Sequence, residues 1–389
     1  MARSPEKFAH LLSAAIYRIR IQESGTLKKT IGIVQDELGY ALGRDGGSCI
    51  EYWRKGNIPA ELDDVERLAR ELVKRAGLER HELEQFLAVA EHPAPAGLCD
   101  ELFPTAPLEE LAPFVIGPPI AHPRQFFGRG QELKRIFGLW ERFPLQNVAL
   151  IGLQRSGKTS LLRYVQAITG TDPAHLRPGQ RSDWLAQPER YKWVFVDFQD
   201  ARMASRERLL RHLLISLDLP VPDACDLNCF IDLVSEHLQT PTIILMDEIG
   251  AGLAAPELDQ EFWWSLRSLG SNFTGGRLGF LLTAHKPPHV LAQDHDKPSP
   301  FFNIFGHTLK LGPLSEAEAR ELVASSPRPF DPSEVDWIVM HSGRWPALLQ
   351  IHCHTRLIAL EEGQAGQGWQ EEGLRRIAPF GYLLEAEYE

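Results

Sequence analysis

Cysteine is scarce and unpatterned in this chain: Cys49, Cys99, Cys225, Cys229 and Cys353 are the only five in 389 residues. An odd number without framework spacing excludes a disulfide-stapled scaffold and fits a reducing compartment. Cys225 and Cys229 have the spacing of one ligand pair, but no second pair completes a tetrahedral metal site. His352 and His354, which flank Cys353, point to different sides of a helix. Long apolar runs are also missing. Nothing approaches the roughly 18 residues of a membrane span, and the start, MARSPEKF, lacks a charged-then-apolar export signal. The expected location is therefore cytoplasmic, with no membrane partner. There is no internal repeat and no low-complexity tract. A net charge of −11 argues against an electrostatic grip on nucleic acid by the chain as a whole.

The composition, 43% apolar and 24% charged, is that of ordinary globular protein, and the length predicts two or three domains. Residues 1–90 carry fourteen Lys and Arg against fourteen Asp and Glu, so the acidic excess lies wholly beyond them. Phe8, Leu11, Leu12, Ala15, Ile16 and Ile19 recur at helical spacing, as do Leu62, Val65, Leu68, Ala69 and Leu72, with Gly77 as a stop signal. These residues predict a helical domain over 1–90. Between 91 and 124 the prolines of HPAPAG, FPTAP and IGPPIAHP predict a linker, partly extended.

Beyond it, strand-like runs alternate with helical stretches: Val148–Gly152, Trp193–Phe198, Thr242–Met246, Leu278–Thr283 and Thr308–Leu311. That order predicts a mostly parallel sheet covered on both faces, over residues 125–312. From 313 to 389 the strands cease. Ser315 with Glu318 forms a capping box, Asp331–Pro332 opens a second helix and Pro346 a third, which predicts a helical subdomain.

The chemistry concentrates in residues 152–160, GLQRSGKTS. Gly152, Gly157, Lys158 and Thr159 meet the G-x-x-x-x-G-K-[ST] pattern, with the strand NVALIG leading in and an apolar-periodic helix leading out. Glycines let backbone N–H groups converge on phosphates, and the helix N-terminus adds a favourable dipole. The loop predicts binding of ATP with Mg2+ through Gly152, Leu153, Gln154, Arg155, Ser156, Gly157, Lys158, Thr159 and Ser160. Lys158 would reach the terminal phosphates and the Thr159 hydroxyl the metal. Asp247 and Glu248 follow the third strand as a Walker B pair. Asp247 would hold magnesium, and Glu248 would activate the attacking water. A glutamate in that place predicts hydrolysis as well as binding.

Residues 125–355 resemble the AAA+/STAND class of P-loop ATPases. Phe126, Gly128, Arg129 and Glu132 match the F-x-G-R-x-x-E element that precedes the P-loop in this class and helps form the nucleotide pocket. LLTAHKPP takes the place of sensor 1, with His285 as the aligned candidate and Thr283 and Lys286 beside it; a histidine there departs from the usual asparagine or threonine. HSGRWPALLQ is similar to the G-x-P element of the STAND lid, although two residues separate Gly343 from Pro346. Pro346 also stands where a ring-forming motor carries its sensor 2 arginine, with Arg344 nearby. Arg267 and Arg277 lie where an arginine finger would be sought, though surface arginine is the commoner explanation. The resemblance implies a three-layer α/β P-loop NTPase sandwich with a C-terminal helical lid, using Arg129 and Pro346 in the nucleotide pocket and Lys158, Glu248 and His285 in catalysis.

Residues 30–75 resemble the helix-turn-helix of phage-repressor-like domains. Ser48 to Arg54 would be the reading helix, Ile50 and Trp53 would face the core, and Ser48, Glu51, Tyr52, Arg54 and Lys55 would meet DNA, with Arg44 near phosphates. The alternative is a helical bundle used for protein contacts. Taken together, these resemblances imply a nucleotide-controlled switch whose ATP state governs homo-oligomer assembly and DNA or partner binding, in regulation or defence. Two other readings stand beside it: a DNA-remodelling ATPase resembling origin-recognition or transposition ATPases, and a transcription regulator that senses ATP without required turnover. The usual repeat sensor of STAND proteins is not seen in the sequence, which points to a separate sensor or effector protein or to a compact version.

Overall fold

The computed structural model describes residues 5–23, 29–103, 111–364 and 366–385. The chain divides into two compact units, one of residues 1–110 with 220–222, the other of 111–219 and 223–389.

The first unit is all helix: Pro5–Gln22, Ile31–Ala41, Ser48–Arg54, Leu62–Ala76, Arg80–Val89 and Pro95–Leu102. The periodic residues named from the sequence form its core, with Phe8, Leu12, Ile16, Val34, Leu38, Ile50, Trp53, Leu68 and Leu72 buried together. Gly77 ends its helix in the left-handed conformation, φ 62°, as a C-cap glycine does. The turn leading into Ser48–Arg54 packs directly on the backbone of Ile31–Ala41 because Gly39 on the helix and Gly47 in the turn carry no side chain. A Cβ on Gly39 would lie 2.0 Å from the Gly46 carbonyl oxygen, and one on Gly47 would lie 2.6 Å from the backbone of Gln35. The expected linker, 91–124, is divided between the units. Pro95–Leu102 is a helix, with Leu98 and Cys99 in the first core, and residues 111–124 belong to the second unit.

The second unit holds a five-stranded parallel sheet: β1 (Val148–Ile151), β2 (Lys192–Asp197), β3 (Thr242–Asp247), β4 (Leu278–Ala284) and β5 (His307–Lys310), in the order β2-β3-β4-β1-β5. Alternate side chains of the central strands enter two separate cores. Val148 and Leu150, Ile243 and Leu245, and Leu281 pack with Leu161, Leu162 and Val165 of the helix Lys158–Ile168. Phe280 turns the other way, edge-on to Phe301 at 5.2 Å, and Trp263 packs on Phe301 and Phe302. Because side chains alternate along a strand, two apolar faces need two layers of cover, and the result is the helix–sheet–helix sandwich of a P-loop NTPase. In this order the crossover from β1 runs to β2 on one side and the crossover from its neighbour β4 runs to β5 on the other, so the connections diverge between β4 and β1. In such sheets the crevice beyond the carboxyl ends at this reversal is where ligands bind.

The helices after β5 are Glu316–Ala324, Pro332–His341, Pro346–Glu361, Gly368–Ile377 and the short Tyr382–Glu385. Ser315 with Glu318 and Asp331 with Glu334 are reciprocal capping boxes. Leu322, Ile338, Leu349, Cys353 and Trp369 form this subdomain's own core.

One charge cluster sets a pH dependence for the first unit. Arg75 bonds Glu23 at 2.7 Å and also Glu37, and Lys29 bonds both carboxylates at 2.7–2.8 Å. The Arg75 guanidinium and the Lys29 ammonium, working against partial burial, lower the Glu23 pKa to about 2. A depressed carboxylate contributes stability above its unfolded pKa and loses it as pH falls towards the folded value. Glu23→Gln is therefore expected to cost about 1–2 kcal/mol at pH 7, allowing for solvent screening, in urea unfolding followed by far-UV circular dichroism. The gap from wild type should narrow below pH 4.5; a gap that stays constant from pH 7 to pH 3 would contradict this origin.

Candidate nucleotide site

At the carboxyl end of β1 the chain must turn sharply into the Lys158–Ile168 helix. Gly152 is required at the start of that turn, since a Cβ there would meet Ser156 Oγ at 2.6 Å and the Leu311 carbonyl oxygen at 3.0 Å. Gly157 caps the helix at φ 94°. Lys158 is 5% exposed, and its ammonium donates to the carbonyls of Gly152 and Leu153, each at 3.0 Å. Burial lowers its pKa, and the negative charges of Glu248 and Asp247 oppose that shift. The Ser156 hydroxyl is buried without a hydrogen-bond partner among the described residues. A buried ammonium, an unmatched hydroxyl and a helix N-terminus converging on one loop are the donors that a phosphate chain needs.

Arg129 braces this loop from behind. It is 5% exposed and bonds Glu132 at 3.2 Å, the Ser156 carbonyl at 3.2 Å and the Gly312 carbonyl. One side chain thus ties the segment before β1 to the P-loop and to the chain just before the lid. Its backbone is left-handed, φ 64°, which costs a non-glycine residue about 1–2 kcal/mol and persists only where the surroundings over-determine it. Gly128 precedes it at φ 73°, where a Cβ would press on Leu314 and Glu318 at 2.9 and 3.0 Å.

β3 delivers Asp247, buried, and Glu248, which sits at φ 52° at the head of the Ile249–Ala254 helix. Neighbouring β4 brings Thr283 against both: its hydroxyl donates to Asp247 Oδ1 at 2.6 Å and accepts from the Glu248 N–H at 2.8 Å. Thr283 is fully buried. His285, the aligned sensor candidate, is exposed two residues further on and does not line the cleft, and Lys286 is paired with Asp294. The signal for Thr283 in the sequence is that it is the one polar side chain in the otherwise apolar run of β4, where a hydroxyl has to be matched by neighbouring groups rather than by solvent.

The P-loop, Arg129 and Glu248 contribute to the lining of a cleft of about 300 Å³. Its lining comprises the P-loop residues 154–160 with Glu248 and Gln199, the strap 115–120, Phe126, Phe127, Leu322, and the lid residues Pro346, Ala347, Gln350 and Ile351. The strap is tied at both ends: the Ile120 N–H donates to Ser160 Oγ at 3.0 Å, and the Val115 N–H donates to Gln350 Oε1 at 2.9 Å. Pro346 lines the cleft, whereas Arg344 is exposed and does not. The outer arc of the P-loop is covered by the last helices. Arg155 lies 4.5 Å over the Phe380 ring, Tyr382 donates to the Gln154 carbonyl at 3.3 Å, and Leu153 packs with Trp345, Leu348 and Leu383. The strap, Gln350 and this C-terminal cover were not anticipated from the sequence. Among the described residues no cluster of three His, Cys, Asp or Glu has the makings of a metal site, and no helix is long and apolar enough to cross a membrane.

No protein-family model matches the chain, and no curated protein matches it. Among solved structures it is similar to a Walker-type ATPase of Pyrococcus abyssi, with 18% identity over 67% of this chain and 79% of that one and a TM-score of 0.43. It is also similar to the ORC2 protein of Aeropyrum pernix in its ADPNP–ADP complexes (16%, 67% and 69%, TM-score 0.47) and to Cdc6p of Pyrobaculum aerophilum (15%, 65% and 65%, TM-score 0.43). The P-loop NTPase layout stands on this chain's own strand order and loop.

If Arg129 is the brace of the loop, Arg129→Ala leaves the Ser156 and Gly312 carbonyls without their donor and is expected to lower stability by about 2–4 kcal/mol. Eight of the nine tryptophans lie beyond residue 110, so thermal melting followed by indole fluorescence reports on the second unit. An unchanged melting temperature would show that the P-loop is held in some other way.

Proposed function

We propose that this chain binds ATP with magnesium, hydrolyses it, and uses the bound state as a switch. The observation that carries the reading is that Lys158, Thr159 and Glu248 line one cleft, with Asp247 and Thr283 bonded directly behind Glu248. Lys158, the Ser156 hydroxyl and the backbone of 153–159 would hold the phosphates. Thr159 and Asp247 would be the protein's two contributions to magnesium, which keeps waters and phosphate oxygens as its other ligands. Glu248 is the group placed to take a proton from water. Thr283, rather than His285, is the polar residue that holds the Walker B pair in position. Bound magnesium neutralises charge on the phosphates; orientation and proton acceptance fall to these side chains.

The switch reading is supported by the lid. Pro346 and Gln350 wall the cleft, and no arginine of the lid does, so the lid is suited to reporting occupancy. Assembly is supported by exposed apolar groups beside the arginine-finger region: Trp264 is 49% and Phe273 52% exposed, flanking Arg267. For the N-terminal unit, Ser48, Glu51, Tyr52 and Lys55 face solvent on the helix expected to read DNA. Its cations are partly engaged, however: Lys55 pairs with Glu51, Arg44 with Asp64, and Arg54 donates to Ser13 Oγ at 3.2 Å. Phosphate neutralisation supplies most non-specific affinity, so this surface favours a weak contact, and exposed Tyr40 and Tyr52 suit a protein partner as well as a base.

Lys158→Ala is expected to abolish ATP binding in calorimetry. Glu248→Gln should keep binding within a few-fold while turnover falls about 100-fold or more, and Thr283→Val should lower turnover about 10-fold. Wild-type turnover in Glu248→Gln would remove hydrolysis from the account. Light scattering of Glu248→Gln with ATP and of wild type with ADP is expected to differ in mass; one monomeric mass for both would remove the switch.

A further inference from the structure

The geometry points to Gln350 as the residue that reads the nucleobase, an inference that rests on the nucleotide reading above and adds base selectivity to it. Gln350 is 7% exposed, lies one helical turn after Pro346, and lines the cleft on the lid side, bonded to the strap rather than to the phosphate loop. A buried amide is costly unless its groups are matched. Half of this one is matched: Oε1 accepts from the Val115 N–H at 2.9 Å. That bond also settles which way the amide faces, because the reverse orientation would set an NH2 against an N–H donor. Nε2, with two hydrogens, is therefore the end left to face a ligand.

The surrounding wall decides which base suits that donor. The strap runs Val115, Ile116, Gly117, Pro118, Pro119, Ile120. Its two prolines carry no N–H, and the N–H groups of Val115 and Ile120 are already engaged, which leaves the N–H groups of Ile116 and Gly117 beside the carbonyls of all six residues, so acceptors outnumber donors. Among the lining residues Glu248 is the one carboxylate, and its charge acts on Lys158 of the phosphate loop. A donor from Gln350 beside acceptors from the strap complements adenine, whose edge pairs a ring-nitrogen acceptor with the 6-amino donor. Guanine presents O6 in that place, where a strap carbonyl would repel it, and its N1–H and N2 group would meet no carboxylate. Phe126, Phe127, Leu322 and Ile351 supply the apolar sides. Because Gln350 holds the strap through one end and the base through the other, base occupancy and lid position meet in a single side chain.

Gln350→Glu tests this, because it keeps an oxygen for the Val115 N–H and exchanges the donor for an acceptor. Binding of ATP, GTP and inorganic tripolyphosphate would be measured by calorimetry for wild type and variant. Wild type is expected to prefer ATP to GTP by about 10-fold or more. The variant should lose that preference through about 10-fold weaker ATP binding, with tripolyphosphate unchanged within about twofold. Equal losses for all three ligands would mark Gln350 as merely structural, and no loss for any would deny it a role; either result overturns the inference. Should the variant fail to fold, 1-deaza-ATP and 7-deaza-ATP on wild type carry the test. One of the two is expected to bind about 10-fold more weakly than ATP, and equal binding of all three overturns the inference. A wild-type protein that binds tripolyphosphate but not ATP preferentially sinks base reading alone, whereas one that binds none of the ligands sinks the nucleotide reading together with it.

Discussion

The second unit depends on one buried guanidinium. Arg129 reaches from the segment before β1 to the carbonyl of Ser156 in the P-loop and to that of Gly312 at the threshold of the lid. Three stretches far apart in sequence share these bonds, and each has a reason to be strained without them: the arginine itself is left-handed, Gly128 sits against Leu314, and the loop must hold Lys158 out of water. A buried cation is tolerated only where its donors are matched by acceptors, and here the acceptors are the backbone of the loop that is to carry function. The brace that keeps the fold closed is also the brace that keeps the phosphate cradle in shape.

Much of this was legible in the sequence where local chemistry decides the outcome. The five strands fall within a residue or so of the expected runs, most plainly β3 and β4, which are buried along their whole length and so read as continuous apolar stretches. Helix starts at Ser315, Asp331 and Pro346 were readable because caps are local devices. The strap was not. Its prolines spell a linker to any local reading, yet Val115 and Ile120 are tied to Gln350 and Ser160, partners 235 and 40 residues away. Alignment by motif favoured His285, while the strand's pleat and its register with β3 bring Thr283 to Asp247. Gln350 carries no local signal, because its bond to Val115 depends on how the lid packs on a segment 235 residues away.

The division of labour within the cleft follows from these ties. The phosphate loop follows β1, an interior strand, and is held by Arg129. The strap is joined to the lid by one hydrogen bond, Val115 to Gln350, and to the P-loop helix by another, rather than by strand pairing, and the P-loop's outer surface is covered by the last helices through Leu153, Arg155 and Phe380. On the proposed reading, a ligand touching loop, strap and lid would bias the less tightly held parts against the braced one, as a switch requires. The N-terminal unit is a well-packed bundle whose basic groups are largely engaged by its own carboxylates.

The central claim is that one nucleotide joins the P-loop, the strap and the lid. Hydrogen–deuterium exchange of the whole chain with and without magnesium and ATP tests it directly. The account predicts concerted protection of residues 153–160, 115–120 and 346–351 on addition of the nucleotide. Protection confined to 153–160, with the strap and lid exchanging as before, would contradict it.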